Sequence, residues 1–255
     1  MARLGFRRIA VLAGLPLFGL VIEHPAWAAG SGDNLVPYRD QIEQGYNARD
    51  IPAIEATLAD LRKAGAASGQ VDIAAYYSAF GRLRQAAIPG IPKDRARDYL
   101  EQCIRELEPL VKRRHDYAQA RALHASCLGA SANYYVVRAA TRGIAADREM
   151  AAALRLAPDH PWVVFQDAVN DFFTPTMFGG DKERALDKLR RAEQLFVASR
   201  PAGSHGPVFG ESETWLYIGR VRLALGQKGE ARMALEKARA LAPASADVRD
   251  EIRKL

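Results

Sequence analysis

The feature that most constrains the fold of this chain is a helical spacing pattern that occurs three times. It places a small residue, a large residue, a second small residue and then Pro in the order Ala-x3-large-x2-Ala-x4-Pro. The copies are Ala146, Met150, Ala153 and Pro158; Ala185, Leu189, Ala192 and Val197, where Val197 stands in the Pro position; and Ala231, Leu235, Ala238 and Pro243. Small residues at such positions let paired helices approach closely, and the large residue fills the gap between neighbours. The pattern therefore predicts an all-α fold, an α-α superhelix of stacked helical hairpins.

Helical spacing of apolar residues extends over most of the remaining chain. We predict roughly ten helices, of which eight span residues 35–48, 51–64, 70–87, 93–113, 116–139, 145–156, 162–173 and 182–198, and the last two form a hairpin over 213–243. The Pro- and Gly-containing connector 88–92 divides an N-terminal helical segment, 29–92, from a hairpin array, 93–255. We expect the two to pack as one domain, because about 60 residues bury only a marginal core by themselves.

The first 28 residues have the pattern of a cleaved signal peptide. Arg3, Arg7 and Arg8 precede an apolar run over residues 9–22, and Ala26-Trp27-Ala28 supplies small residues for cleavage after Ala28. The run is shorter than the ~20 apolar residues that span a bilayer. We therefore expect an exported, periplasmic protein with no stable membrane span after cleavage, by either the secretory or the twin-arginine route.

Charge patterning argues against nucleic-acid binding. The formal net charge of +6 falls to about +4 once residues 1–28, with three Arg and one Glu, are removed. Basic and acidic residues alternate along the helices, as in Arg95-Ala96-Arg97-Asp98, which is typical of a solvent-exposed face. We expect no nucleic acid among the partners.

The last hairpin resembles a tetratricopeptide repeat (TPR). Trp215 and Gly219 stand in its first helix where a TPR has packing residues, ahead of the Ala231, Leu235, Ala238 and Pro243 set. Residues 143–243 resemble degenerate TPR proteins of the bacterial envelope, in which Leu-x-Pro, here Leu156-Ala157-Pro158, precedes Pro-x-x-Phe-Gly-Gly-Asp, here residues 175–181. The resemblance implies an α-solenoid that binds proteins, generally without catalysis.

Two features depart from that family. Arg222 occupies a position that is usually aromatic or aliphatic. The first Ala of each copy advances by 39 and then 46 residues, whereas regular TPR arrays repeat about every 34 residues. Both departures argue against a regular, open superhelix.

The segment Phe178-Gly179-Gly180-Asp181 is the most motif-like in the chain. Glycines ahead of a helix could cradle an anion, but a carboxylate at the helix N-cap already occupies the free amides. We interpret the segment as a positive-φ turn followed by a cap, with Phe178 packed against the helix that follows.

Cys103 and Cys127 are the only cysteines, and they lie 12 residues either side of His115, the expected turn of a helical hairpin. Helices rise about 1.5 Å per residue, so equal distances from the turn place the two cysteines at the same height on antiparallel helices. The spacing fits a disulfide. It fits equally well two buried, reduced cysteines, because helix axes about 8–10 Å apart often hold Cα atoms too far apart for a bridge.

No catalytic, metal or cofactor motif emerges from the polar residues. The histidines beyond residue 28, His115, His124, His160 and His205, lack metal-ligand spacing, and the serines lack a nucleophile-elbow setting. We predict a protein that is not an enzyme and needs no cofactor.

Aromatic side chains recur along the predicted helices, and most lie in the buried stripe, the apolar face of each helix that is expected to pack against its neighbours. Tyr135 and Tyr217 are the candidates for groove or partner contacts, because their neighbours Tyr134 and Ile218 fit that stripe better. The leading hypothesis is an envelope scaffold that binds a protein or peptide partner. The alternative is an accessory protein of an envelope transport system that encloses a small apolar ligand.

Overall fold

The structure, a computed structural model, describes residues 34–135, 137–200 and 209–255. Within these ranges the regular structure is entirely helical, which confirms the predicted all-α class. Eleven α-helices follow one another: α1 Val36–Ala48, α2 Ile51–Ser68, α3 Val71–Ala87, α4 Lys93–Arg113, α5 Ala118–Ala132, α6 Ala139–Leu156, α7 Pro161–Phe173, α8 Lys182–Ala198, α9 Glu211–Ala224, α10 Lys228–Leu241 and α11 Ala246–Arg253. The predicted signal peptide lies outside the described residues.

Consecutive helices pack against each other along the chain, as expected of helical hairpins. A second set of contacts joins the first helix of each hairpin to the first helix of the next, in the order α1, α3, α5, α7 and α9. These five are the inner helices of the array. The described residues form one unit, so the segments before and after the connector 88–92 share a core.

Local sequence determines where several helices begin. Asp50 accepts a hydrogen bond from the amide of Ala53 at 2.9 Å, and Asp181 accepts one from the amide of Arg184 at 2.9 Å. Each carboxylate satisfies an amide that the first turn of a helix leaves unpaired. The starts of α2 and α8 are therefore fixed by their caps.

The inner side of the array is closed by its own side chains. Besides α2 and α3, helix α1 contacts α11, the last helix of the chain. Phe80 of α3 lies edge-on to Trp162 of α7, with ring centroids 5.9 Å apart, and both rings contact Phe209 ahead of α9. Aromatic rings from non-adjacent inner helices thus meet in the interior, instead of lining an open groove.

Three predicted boundaries are wrong. The helix predicted over 116–139 ends at Ala132, and the next begins at Ala139 instead of residue 145. Helical spacing continues through 133–138 with no Gly or Pro to mark the break, so the turn has no local signal. Helix α2 continues to Ser68 past Gly65, which leaves room for the side chain of Ala74 at a close approach to α3. The eight-residue helix α11 is absent from the sequence-based prediction.

Candidate binding surfaces

The repeat residues of the last hairpin pack where the spacing places them. Ala231, Leu235 and Ala238 are fully buried. A Cβ added at Gly219 would lie 2.6 Å from Cγ of Leu235, so only Gly permits this approach of α9 to α10. Pro243 follows the end of α10 and is exposed. These residues pack the two helices together, and none of them has a polar side chain that could take part in a reaction.

The Gly-Gly-Asp segment forms a turn and a helix cap. Gly179 has a φ of 91°, and a Cβ at Gly180 would lie 1.8 Å from the carbonyl oxygen of Thr174. Asp181 caps α8 as described above. The expected packing of Phe178 against α8 is wrong, because 69% of Phe178 is exposed. Phe178 is the last residue of the 3-10 turn Thr176–Phe178, which lies between α7 and α8.

Exposed apolar side chains are concentrated beside that turn. Phe173, Met177 and Phe178 are exposed by 60%, 82% and 69%, and we call these three residues the 173–178 edge. The backbone here is held firmly: the amides of Phe178 and Gly180 both donate to the carbonyl of Pro175, at 2.8 and 3.3 Å. The side chain of Arg184 binds the carbonyl of Gly179 at 2.6 Å and the carboxylate of Asp171 at 2.7 Å. A fixed backbone therefore presents large apolar groups to solvent.

A disulfide joins Cys103 of α4 to Cys127 of α5, with the Cα atoms 6.3 Å apart. Both residues are fully buried. Of the two arrangements that the spacing allows, the structure contains the bridge.

Tyr135 lies in the turn between α5 and α6. Its hydroxyl donates to Glu101 of α4 at 2.9 Å, and the guanidinium of Arg142 lies over its ring at 5.3 Å. Arg142 also binds Glu101 at 2.8 Å. This set joins α4 and α6 to the turn that contains Tyr135, so part of the polar capacity of Tyr135 is already used within the protein.

Tyr217 of α9 belongs to an aromatic cluster formed with residues of α7. Its ring meets Phe165, Phe172 and Phe173 at centroid distances of 5.6, 6.4 and 6.1 Å. Arg220 lies over the same ring at 5.1 Å. The cluster extends from buried Phe165 to exposed Phe173, so Tyr217 connects the core with the 173–178 edge. Among the described residues, no residue contacts both Tyr217 and Tyr135, so the structure does not bring these two candidates together.

An ion-pair cluster that the sequence reasoning missed closes the interior. The guanidinium of Arg84 is buried in α3, donates to Glu43 of α1 at 2.6 Å and to Glu213 of α9 at 2.6 Å, and lies over the ring of Tyr46 at 4.8 Å. Burial raises the pKa of Glu43, although the charge of Arg84 opposes that rise. The cluster binds three inner helices, α1, α3 and α9, together.

A second polar cluster joins the two ends of the array. Asp247 of α11 accepts hydrogen bonds from the hydroxyl of Tyr46 at 2.8 Å, from Arg49 at 3.3 Å and from Arg220 at 3.0 Å. Burial acts to raise the pKa of Asp247, but these donors outweigh it, and the pKa is lowered. Arg220 also binds Glu251 at 2.9 Å. The first and last helices are therefore held together by charged and polar groups.

Metal and membrane sites find no support in the described part of the chain. There, no group of three or more His, Cys, Asp or Glu side chains is arranged to hold a metal ion. None of the helices in residues 34–135, 137–200 and 209–255 is both long and apolar enough to cross a membrane.

Two solved structures are similar to this chain in fold. A thermophilic TPR protein of Thermus thermophilus, TTC0263, has a TM-score of 0.59 and 16% sequence identity, over 85% of this chain and 97% of that protein. The chain has a TPR-like fold. The HusA haemophore of Porphyromonas gingivalis has a TM-score of 0.53 and 21% identity, over 76% of this chain and 96% of the haemophore. No protein-family model matches the sequence, and no curated protein is significantly similar to it.

Proposed function

We propose that this protein is a non-enzymatic, exported scaffold that binds a protein or peptide partner. The 173–178 edge is the observation that carries the proposal. Large apolar side chains that remain exposed in contiguous groups mark interaction sites, because water contact costs free energy that a partner recovers on binding. Here the hydrogen bonds of the loop hold Phe173, Met177 and Phe178 in that exposed position, so the surface is preorganised.

The TPR-like fold supports this function by its construction. Stacked hairpins offer extended surfaces, and their repeat positions specify packing instead of chemistry. The interior is filled by aromatic rings and by the Arg84 cluster, so we assign the partner to an outer surface. The Arg-rich, apolar N-terminal stretch of residues 1–28 supports export to the periplasm, with cleavage after Ala28.

Capture of a partner from an envelope extract tests the proposal. The bait is the chain from residue 29 onward, compared with F173S/M177S/F178S. A matched control, V71S/V137S/I144S, replaces three apolar residues that are also exposed, by 55%, 91% and 70%. We expect one protein to be recovered with the wild type and the control, and at least fivefold less of it with the 173–178 variant. The purified partner should then bind the wild type and the control with similar affinity, and the 173–178 variant more weakly.

Equal recovery with all three baits would contradict partner binding at this edge. Light scattering of the purified protein covers a further outcome. A wild-type dimer that becomes a monomer only in F173S/M177S/F178S would identify the partner as a second copy of the chain.

Small-ligand binding is a second candidate, and the aromatic cluster around Tyr217 favours it. Phe172, Phe173 and Tyr217 bring three rings towards the surface, and one structural neighbour is a haemophore. Native mass spectrometry of gently purified protein discriminates the two functions. A carrier retains a bound small molecule that Y217A loses, whereas a scaffold shows the mass of the polypeptide alone.

A further inference from the structure

The sulfur-containing side chains of this protein are divided between buried and exposed positions. Cys103 and Cys127 are the only cysteines of the chain, and the bridge between them uses both thiols. Of the three methionines in the described residues, Met150 is 5% exposed and packs in the core, whereas Met177 and Met233 are exposed by 82% and 66%. An oxidant that reacts with sulfur therefore meets two exposed thioethers and no free thiol.

Met177 belongs to the surface that carries the proposed function. The other two residues of the 173–178 edge are phenylalanines, so Met177 is the side chain of this edge with a readily oxidised group. The amides of Phe178 and Gly180, which donate to the carbonyl of Pro175, hold the backbone in place around it. The thioether is therefore kept in solvent, outside the core, where its modification leaves the packing of the helices unchanged.

A peroxide converts such a thioether to a sulfoxide with no further reagent. The sulfur lone pair attacks one peroxide oxygen, so that a sulfur–oxygen bond forms and the oxygen–oxygen bond breaks. The proton on the transferred oxygen passes to the leaving hydroxide, which departs as water. Sulfur loses two electrons in this step, and these electrons reduce the peroxide.

The sulfoxide changes how Met177 meets a partner. Its oxygen accepts hydrogen bonds from water, and burial of that oxygen costs free energy unless a donor replaces the water. A partner surface that fits Phe173, Met177 and Phe178 is apolar and lacks such a donor. Met233 lies on α10, outside the 173–178 edge, so its oxidation changes no contact of that edge.

We propose that Met177 is an oxidation site that controls partner binding: the thioether form binds the partner, and the sulfoxide form releases it. The inference rests on the proposed function of the 173–178 edge and adds its regulation by peroxide. Methionine sulfoxide reductases return a sulfoxide to the thioether, so the change is reversible.

The matched variants M177L and M233L test the proposal. Leu keeps an apolar side chain of similar volume but forms no sulfoxide. The chain from residue 29 onward is treated with hydrogen peroxide, and peptide mass spectrometry follows each methionine. We expect Met177 and Met233 to react at rates within about threefold of each other, and Met150 at least tenfold more slowly. In urea, where the core is exposed, all three should react alike.

Capture from the envelope extract, added after the peroxide is removed, gives the functional readout. Oxidation should reduce partner recovery at least fivefold with the wild type and with M233L, but less than twofold with M177L. Untreated M177L should recover as much partner as the wild type. Methionine sulfoxide reductases with dithiothreitol should restore capture by the oxidised wild type; unoxidised protein treated in the same way controls for reduction of the disulfide.

Retention on a phenyl matrix adds a readout that needs no partner. In M233L, Met177 is the exposed thioether that remains in the described residues. Oxidised M233L should therefore elute earlier than untreated M233L, because its apolar edge has gained a polar group. The elution of M177L/M233L should not change with peroxide.

Several results would overturn the proposal. Capture that depends on Phe173, Met177 and Phe178 but is equal before and after complete oxidation of Met177 would reject it and leave the proposed function intact. An equal loss of capture by oxidised M177L would place the sensitive group elsewhere. If no partner is captured at all, the proposed function is rejected, and the phenyl matrix then decides the oxidation site alone: unchanged retention of oxidised M233L rejects it, and earlier elution supports it.

Discussion

His160 shows how a single side chain can combine a structural role with pH dependence. Its Nδ1 accepts a hydrogen bond from the amide of Trp162 at 3.2 Å and so caps α7, while its Nε2 lies 3.0 Å from the side-chain amide of Gln119. Acceptance at Nδ1 requires the neutral ring with the proton on Nε2, so the carboxamide of Gln119 must present its oxygen, and not its nitrogen, to that N–H. Burial lowers the pKa of His160 to about 4, because a charged imidazole would lose its hydration there.

Acidification should therefore destabilise the protein through His160. The pKa in the unfolded chain is about 6.5, so the unfolded state binds more protons between pH 6.5 and 4. The free energy of unfolding should fall over this interval by on the order of 3 kcal/mol, and the loss should be complete below pH 4. Burial also lowers the pKa of His124. Acidification should therefore reduce the free energy of unfolding through His124 as well.

Urea unfolding of H160N at pH 7, 6, 5 and 4 measures the His160 contribution. Asn retains an N-cap acceptor but does not titrate, so the variant should lose less stability between pH 6.5 and 4 than the wild type. The control is H115N, at an exposed turn position. An unchanged pH profile in H160N would mean that the ring is not held neutral by its burial.

At the scale of the helix pair, the disulfide between α4 and α5 should stabilise the fold by constraining the unfolded chain. The two cysteines are 24 residues apart, and a loop of that length corresponds to about 3 kcal/mol in the chain-entropy model. Reduction of the wild type, or the variant C103A/C127A, should lower the free energy of unfolding by about this amount.

Thiol labelling under denaturing conditions provides the direct measurement. Protein purified without reductant should label at no cysteine, and reduced protein at two. Two labelled thiols before reduction would reject the bridge. If C103A/C127A lost stability to the same extent against reduced wild type, the effect would come from lost packing volume instead of the covalent constraint.

The helices themselves were largely predictable, because their signals are local. The predicted ranges 93–113 and 182–198 match α4 and α8, where a proline-containing connector and the Asp181 cap mark the starts. The turn between α5 and α6 was not predictable, since 133–138 has neither Gly nor Pro. Nor was α11, a mostly polar helix of eight residues that depends on packing of Val248 against the preceding hairpin. The exposure of Phe178, at the end of the 3-10 turn before α8, likewise has no signal in the spacing of apolar residues.

At the scale of the whole molecule, the closed interior could not be predicted from the sequence. Acidic and basic residues on helices normally indicate a solvent-exposed face. Arg84 and Glu213 are 129 residues apart, and only the stacking of the intervening hairpins brings α3 and α9 together. The irregular repeat lengths and Arg222 did argue against a regular open superhelix, but they carried no information about which charges would meet.

Removal of Arg84 should therefore destabilise the closed array in a pH-dependent way. The variant R84M keeps a side chain of similar length but leaves Glu43 and Glu213 without their shared cation. We expect a loss of about 3 kcal/mol at pH 7, which is typical when one partner of a poorly solvated ion pair is removed.

The loss should shrink as the pH falls from 7 to 5. Burial already raises the pKa of Glu43, and without Arg84 it should rise further. A carboxyl group whose pKa is higher in the folded state than in the unfolded state takes up a proton on folding, so acidification favours the folded R84M protein relative to its stability at pH 7. The other titrating groups, His160 among them, are common to both proteins and cancel in the difference from wild type.

The triple variant R84M/E43Q/E213Q separates the charge effect from packing. Amides in place of both carboxylates remove the unpaired charges, so stability should return to within about 1–2 kcal/mol of the wild type and the difference should no longer depend on pH. Urea unfolding of the three proteins at pH 5, 6 and 7 gives the comparison. If R84M were as stable as the wild type, or if the triple variant recovered nothing, the interior would be closed by its aromatic rings, and the ion pairs would follow from that packing instead of causing it.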